Sequence, residues 1–118
     1  MKIEKFEDLE VWKESMRLVT EIYHQFKFIN DFGFRDQIQR SAVSVPSNIS
    51  EGYERNSNKE FIQFLFFAKG SCGELRTQLY LAVNLNLIEH QKGLELLEHS
   101  RKISAMLFNL IKIRKENF

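Results

Sequence analysis

The stretch Ser57-Asn58-Lys59-Glu60-Phe61-Ile62-Gln63-Phe64-Leu65-Phe66-Phe67-Ala68-Lys69-Gly70-Ser71-Cys72-Gly73-Glu74-Leu75 decides the fold. Ser57 followed three residues later by Glu60 is a helix-start signature. The serine oxygen accepts a free backbone N–H, and the glutamate is in reach of the cap's own amide. From there Phe61, Leu65, Ala68, Cys72, Leu75, Leu79 and Ala82 alternate by three and four, the spacing that lines one face of an α-helix. The row continues to about residue 86, where Asn84 and Asn86 mark its end, and predicts a rod about 40 Å long at 1.5 Å per residue.

Three further segments flank this rod. Residues 8 to 27 place Leu9, Trp12, Met16, Val19, Tyr23 and Phe26 along one predicted face. Residues 34 to 52 do the same with Phe34, Ile38, Ala42, Val45 and Ile49. Gly52 suits a left-handed helix ending there. Residues 90 to 115 carry Leu96, Ile103, Leu107 and Leu110, flanked by Leu97, Phe108 and Ile111, and finish in Lys112, Arg114 and Lys115, cations that suit a helix C-terminus. Breaks of a few residues force consecutive helices antiparallel. The expected fold is therefore all-α, an antiparallel up-down-up-down four-helix bundle occupying residues 1–118 as one domain. Pro46 falls inside the second helix, where it removes a backbone hydrogen bond at about 3 kcal/mol. A kink there is expected, with Ser44 and Ser47 helping to satisfy the freed groups.

Composition narrows the function. Seventeen Lys+Arg against sixteen Asp+Glu in 118 residues leave a net charge of +1, too small for a whole-molecule field to steer a partner. The single Cys72 forms no internal disulfide and reads as a small buried residue in a reducing compartment. The opening Met1 to Glu10 mixes acids and bases, and no apolar run reaches the roughly 20 residues that span a bilayer. A cytoplasmic protein is expected. Glu21-Ile22-Tyr23-His24 matches the Glu-x-x-His spacing of di-iron bundles once, but off the predicted seam and without a second copy; His90 and His99 follow Leu87 and Leu96. Without phosphate loop, nucleophile motif or zinc spacing, no metal, cofactor or enzymatic activity is expected.

Beside the apolar row of the second helix runs a polar one, Gln37, Ser41, Ser44, Asn48, Glu51 and Arg55, answered on the third helix by Ser71, Glu74 and Gln78 next to Gly70 and Gly73. If these rows face each other, Asn48, Glu51, Ser71 and Glu74 form a buried hydrogen-bonded network that fixes register. The alternative, Glu51 and Glu74 as an acid–base pair, lacks a companion His, Lys or nucleophile. Phe61, Ile62, Phe64, Phe66 and Phe67 point around nearly the whole third helix, more than one core can cover. They predict an interface with further copies of the chain, unless an N-terminal arm, residues 1 to 7 with Ile3 and Phe6, covers them. Arg40, Arg55, Lys59 and Lys69, with Arg35 and the cations of the last helix, are candidate phosphate contacts of a positive rim.

The run Gln37 to Gly52, containing Pro46-Ser47-Asn48-Ile49-Ser50-Glu51-Gly52, then Ala68-Lys69-Gly70-Ser71 and Glu74-Leu75, and the opening Phe6-Glu7-Asp8-Leu9-Glu10-Val11-Trp12, resembles the 23S rRNA intervening-sequence protein family over almost the whole chain. The resemblance implies a four-helix bundle, a homopentameric ring, and contact with RNA or an RNA-associated protein, as in the related accessory protein of diversity-generating retroelements. Gln39 stands where a second basic residue is common, and Ser41 and Ser50 replace usual alanines. Gln39 and the small net charge weaken the RNA expectation without touching the bundle.

Overall fold

A computed structural model describes residues 2–118. After a single 3-10 turn at Phe6–Asp8, the chain forms α1 (Glu10–Phe26), α2 (Phe32–Tyr53), α3 (Asn58–Asn84) and α4 (His90–Asn117). Each helix packs on its two neighbours in the order α1, α2, α3, α4 and back to α1, and among the described residues the backbones of the diagonal pairs stay apart across the shared core. The result is a four-helix bundle of 45 × 21 × 21 Å.

The ends of the helices follow local chemistry. Asp31 accepts the Phe34 N–H at 3.0 Å, Ser57 accepts that of Glu60 at 3.1 Å, and Glu89 accepts that of Lys92 at 2.7 Å. The Glu60 carboxylate turns to the Ser57 hydroxyl at 3.5 Å, so this cap is the forward half of the expected box. α3 stops because Asn86 takes φ 56°, while Leu87 N–H bonds Ala82 O at 2.9 Å and Asn86 N–H bonds Val83 O at 3.2 Å. That pair of bonds closes a Schellman motif, with asparagine in the left-handed position.

The core rows of α2 and α3 are as the spacing predicts: Ile38, Ala42, Val45 and Ile49 face Phe61, Leu65, Ala68, Cys72, Leu75, Leu79 and Ala82, all buried. α4 adds Leu96, Leu97, Ile103, Leu107 and Ile111, with Phe108 left outside. α1 departs from expectation. Its buried row is Val11, Ser15, Leu18, Ile22 and Phe26, whereas Met16 and Tyr23 are 42% and 44% exposed. The two rows are offset by one residue, a rotation of about 100°. Ser15 hid the inner one, because its hydroxyl enters the core by bonding the Trp12 carbonyl at 2.8 Å.

Two glycines set helix separations. A Cβ on Gly52 would lie 2.4 Å from Phe64 Cβ, and one on Gly93 2.5 Å from Val83 Cγ2. Gly52 thus lies within α2, not at a left-handed ending, and its role is close contact with α3. α2 is continuous through the buried Pro46. Beyond it, Asn48 Nδ2 donates to Ser44 O at 2.8 Å and Ser50 Oγ to Ser47 O at 3.1 Å.

Candidate functional site

The polar rows of α2 and α3 do meet. The Ser41 hydroxyl stands 2.9 Å from Glu74 Oε1 and 3.1 Å from the Gln37 carbonyl, so its one proton is shared between an inter-helix and a local acceptor. Ser44 Oγ and Ser71 Oγ are 2.8 Å apart, and Asn48 Nδ2 donates to Ser44 Oγ at 3.0 Å. Ser44 Oγ can accept from Asn48 and still either donate to or accept from Ser71, because a hydroxyl oxygen has two acceptor positions. Gln37 enters this network through its backbone, and Glu51 stays out of it, pairing at the surface with Arg55 at 3.1 Å.

Ser41 is buried, Ser44, Asn48 and Ser71 are half-buried and Glu74 is exposed, so the network lies along an open edge and is not sealed between the helices. Its upper part borders a groove of about 350 Å³ lined by Gln37, Arg40, Ser41, Ser44, Glu74 and Gln78. Ten residues separate Glu51 from Ser41, the partner of Glu74, which puts the two carboxylates about 15 Å apart along the rod. They do not form a pair.

The aromatic cluster divides. Phe61, 3% exposed, belongs to its own bundle: Tyr53 meets its ring edge-on at 5.6 Å and the Arg114 guanidinium covers it at 5.0 Å. The expected assignment of Phe61 to a subunit interface is corrected accordingly, because the α3 core row begins at this ring. Ile62 and Phe64 are half-buried, and Phe66 and Phe67 remain 46% and 47% exposed. The N-terminal arm, whose first residue lies outside the described residues, goes elsewhere. Phe6 packs edge-on against Trp12 at 5.3 Å, and Ile3 lies with Leu9, Phe61 and Phe118 at the bundle's end.

A second apolar surface was invisible as such in the sequence. Trp12, Met16 and Val19 of α1 border, with Phe6, Val43 and Pro46, a groove of about 330 Å³ between α1 and α2. On α3, Gly70 and Gly73 are open: a Cβ on either would meet nothing within 4 Å. No contact inside the bundle needs a glycine at these places.

The candidate phosphate contacts are spread out. Arg55 and Lys59 flank the turn between α2 and α3, whereas Arg40 borders the same groove as Glu74, about 24 Å along the rod from Lys59. Arg55 is engaged by Glu51 and stacks over Phe64 at 4.8 Å; Arg40, Lys59, Lys69 and Lys112 have no ion pair among the described residues. Arg114 is a clamp: its Nε donates to Asn58 Oδ1 at 2.7 Å, Asn58 Nδ2 returns a bond to its carbonyl at 2.9 Å, and its guanidinium lies between Phe61 and Phe118.

Sequence reasoning missed one charged cluster altogether. Glu14 on α1 meets His99 Nε2 on α4 at 2.8 Å, with Arg17 at 2.6 Å and Lys102 at 3.7 Å. The His99 hydrogen bond, aided by the nearby cations, holds the Glu14 carboxyl below its usual range despite partial burial. The partners are 85 residues apart, so no local motif announces them. Glu21 and His24 gain no third ligand, and no group of three metal-binding side chains occurs among the described residues. Cys72 is fully buried, donates weakly to Ser100 O at 3.3 Å, and has its thiol pushed up to about 11 by desolvation. It is not a nucleophile at neutral pH. No described helix is long and apolar enough to cross a membrane.

These features define a class: a small four-helix bundle whose α2–α3 seam is polar on its outer edge and whose outer α3 face carries half-exposed aromatic side chains, Phe67 edge-on to Phe64 at 5.4 Å and Phe66 under the Lys115 ammonium at 5.0 Å. Residues 7–109 match the 23S rRNA-intervening sequence protein family, and the chain belongs to that family. It is similar to a crystal structure of a protein of unknown function from the S23 ribosomal protein family of Bacteroides thetaiotaomicron, with a TM-score of 0.80 and 26% identity over 86% of this chain and 98% of that one. No curated protein matches.

Proposed function

We propose that this chain is a non-enzymatic building block that assembles with copies of itself and presents the resulting surface to a partner. The observation that carries the reading is the outer face of α3, where half-exposed Phe66 and Phe67 precede two glycines that nothing inside the bundle requires. Each interior helix glycine costs about 1 kcal/mol relative to alanine, a cost that close approach of another backbone offsets. The exposed Met16 and Tyr23 on α1 give a second, different apolar surface. Two unlike surfaces suit a head-to-tail contact, the kind that closes into rings. Five copies is the number that the family resemblance implies. Glu51 lies about 15 Å along the rod from Glu74, so the acid–base pair that these two carboxylates could have formed is not made.

Light scattering of the wild type and of Phe66→Glu tests it. The wild type is expected above the 14.1 kDa of one chain, and the variant lighter at equal concentration. A wild type at the monomer mass overturns the proposal. The second reading, an RNA-binding accessory protein, draws on Arg40, Lys59, Lys69 and Lys112, which carry no ion pair among the described residues. Phosphate-driven affinity for a structured RNA must fall steeply between low and physiological salt. No binding at low salt removes this reading and leaves the first.

A further inference from the structure

At the end of the bundle where the α2–α3 turn meets the last turn of α4, the packing leaves a recess of about 370 Å³. Its walls are apolar, among them Leu9, Phe61, Leu110, Ile113 and Phe118. Only two lining side chains carry hydrogen-bonding atoms, Tyr53 and Arg114. Both rest on the Phe61 ring, at 5.6 and 5.0 Å, which brings them to one side of the recess. Arg114 is half-buried, and no acid among the described residues pairs with it. Burial pulls its guanidinium below the usual pKa, and the group that acts on its charge is the Tyr53 phenol, not a carboxylate. Nε is spent on Asn58 Oδ1 at 2.7 Å, which leaves Nη1 and Nη2 without an acceptor among the described residues. The Phe118 ring, 3.7 Å from the guanidinium carbon, holds the group in place without supplying one.

Charges withdrawn from water are ordinarily paired, so a half-buried cation without a counter-charge in an apolar recess asks for an anion. Both polar side chains are donors: a guanidinium has no acceptor atom, and the phenol has a proton to give. The recess therefore suits an acceptor-rich group at one point and apolar substance everywhere else, the usual make-up of a small-molecule site. The free Nη1–Nη2 edge is a fork that matches the two oxygens of a carboxylate. With about 30 Å³ for each molecule the size of water, the volume holds roughly a dozen heavy atoms. We propose that this recess is a binding site for a monocarboxylate with an apolar tail, of the size of a medium-chain fatty acid or an arylalkanoic acid. Its carboxylate is held by the Arg114 fork and the Tyr53 hydroxyl, and its tail lies against Leu9, Leu110 and Ile113.

The test is a titration of the full chain, in whatever assembly it forms, with octanoate and with phenylpropionate, followed by ligand-observed saturation-transfer NMR. Octanamide supplies the tail without the charge, and acetate the charge without the tail. Saturable binding of at least one of the two acids is expected, with octanamide and acetate at least tenfold weaker, since one forfeits the charge-assisted bonds and the other the apolar burial. The groove between α1 and α2 has no charged lining residue, so uptake there would not separate octanoate from octanamide. Ile113→Glu puts an acid beside Arg114 at a half-exposed position, outside the core, and should weaken binding tenfold or more. Tyr53→Phe keeps the ring that meets Phe61, removes only the hydroxyl, and should weaken binding threefold or more. No saturable binding of either acid up to about 20 mM overturns the proposal. So does equal binding of octanamide, or binding that either variant leaves unchanged.

Discussion

Replacing Gly52 with alanine tests how tightly α2 and α3 are locked. The new Cβ would lie 2.4 Å from Phe64 Cβ and 3.2 Å from Phe61 Cδ1, where ordinary contact begins at 3.4 Å. Phe64 Cβ is fixed to the α3 backbone, so no side-chain rotation relieves the clash, and the helices must separate by about 1 Å at this level. Overpacking of this kind costs about 1–3 kcal/mol, against which the better helix propensity of alanine returns 0.5–1 kcal/mol. The net loss is on the order of 1–2 kcal/mol. With an unfolding entropy of about 2.1 cal/mol/K per residue, this chain loses roughly 4 °C of Tm per kcal/mol, so Gly52→Ala should melt about 4–8 °C lower. Thermal unfolding followed by circular dichroism, at one protein concentration, reads the shift. Gly33→Ala is the control, because its Cβ would meet only Asp31 Oδ1, at an ordinary 3.7 Å. A Gly52→Ala protein as stable as the wild type would refute the close-contact account.

Further expectations follow from the other clusters. Glu14 has its folded-state pKa below its ordinary value, so its contribution is present above about pH 4.5 and is lost as pH falls through the lower folded value. His99→Ala should therefore flatten the acid limb of stability, seen as a smaller drop in urea midpoint between about pH 5 and 3; an unchanged limb would show that the pair is idle. Cys72, with its thiol pushed up to about 11, should resist a disulfide-exchange reagent at pH 8 until the protein unfolds. Rapid labelling of the folded chain would contradict its burial. Arg114→Ala removes a bond to Asn58 and the cover over Phe61, and should lower stability by about 1–3 kcal/mol in urea unfolding.

The fold was legible where local and tertiary signals agree. The Ser57 cap marked the start of α3, and the three-four rows from Phe61 to Ala82 and from Ile38 to Ile49 are the buried ones. α1 misled because it has two apolar rows a residue apart, and spacing alone does not say which one the other helices cover. The rejected row is informative, since Met16 and Tyr23 left outside join Phe66 and Phe67 as half-exposed apolar surface. At the α2–α3 seam, residue types marked two polar rows, but the expected buried set of Asn48, Glu51, Ser71 and Glu74 was right only in part, since Glu51 pairs with Arg55 at the surface. The pairing Ser41 to Glu74 and Ser44 to Ser71 depended on helix register, which the separation set at Gly52 helps to fix. Glu14 with His99, and the recess around Arg114, depend on groups far apart in the chain and have no local signature.

Self-assembly is the claim on which most of the functional account rests, and sedimentation velocity of the unmodified chain over a hundredfold concentration range addresses it most directly. The account predicts one dominant species well above 14.1 kDa, near 70 kDa for a closed ring of about five chains. A single boundary at the mass of one chain throughout the range would contradict it.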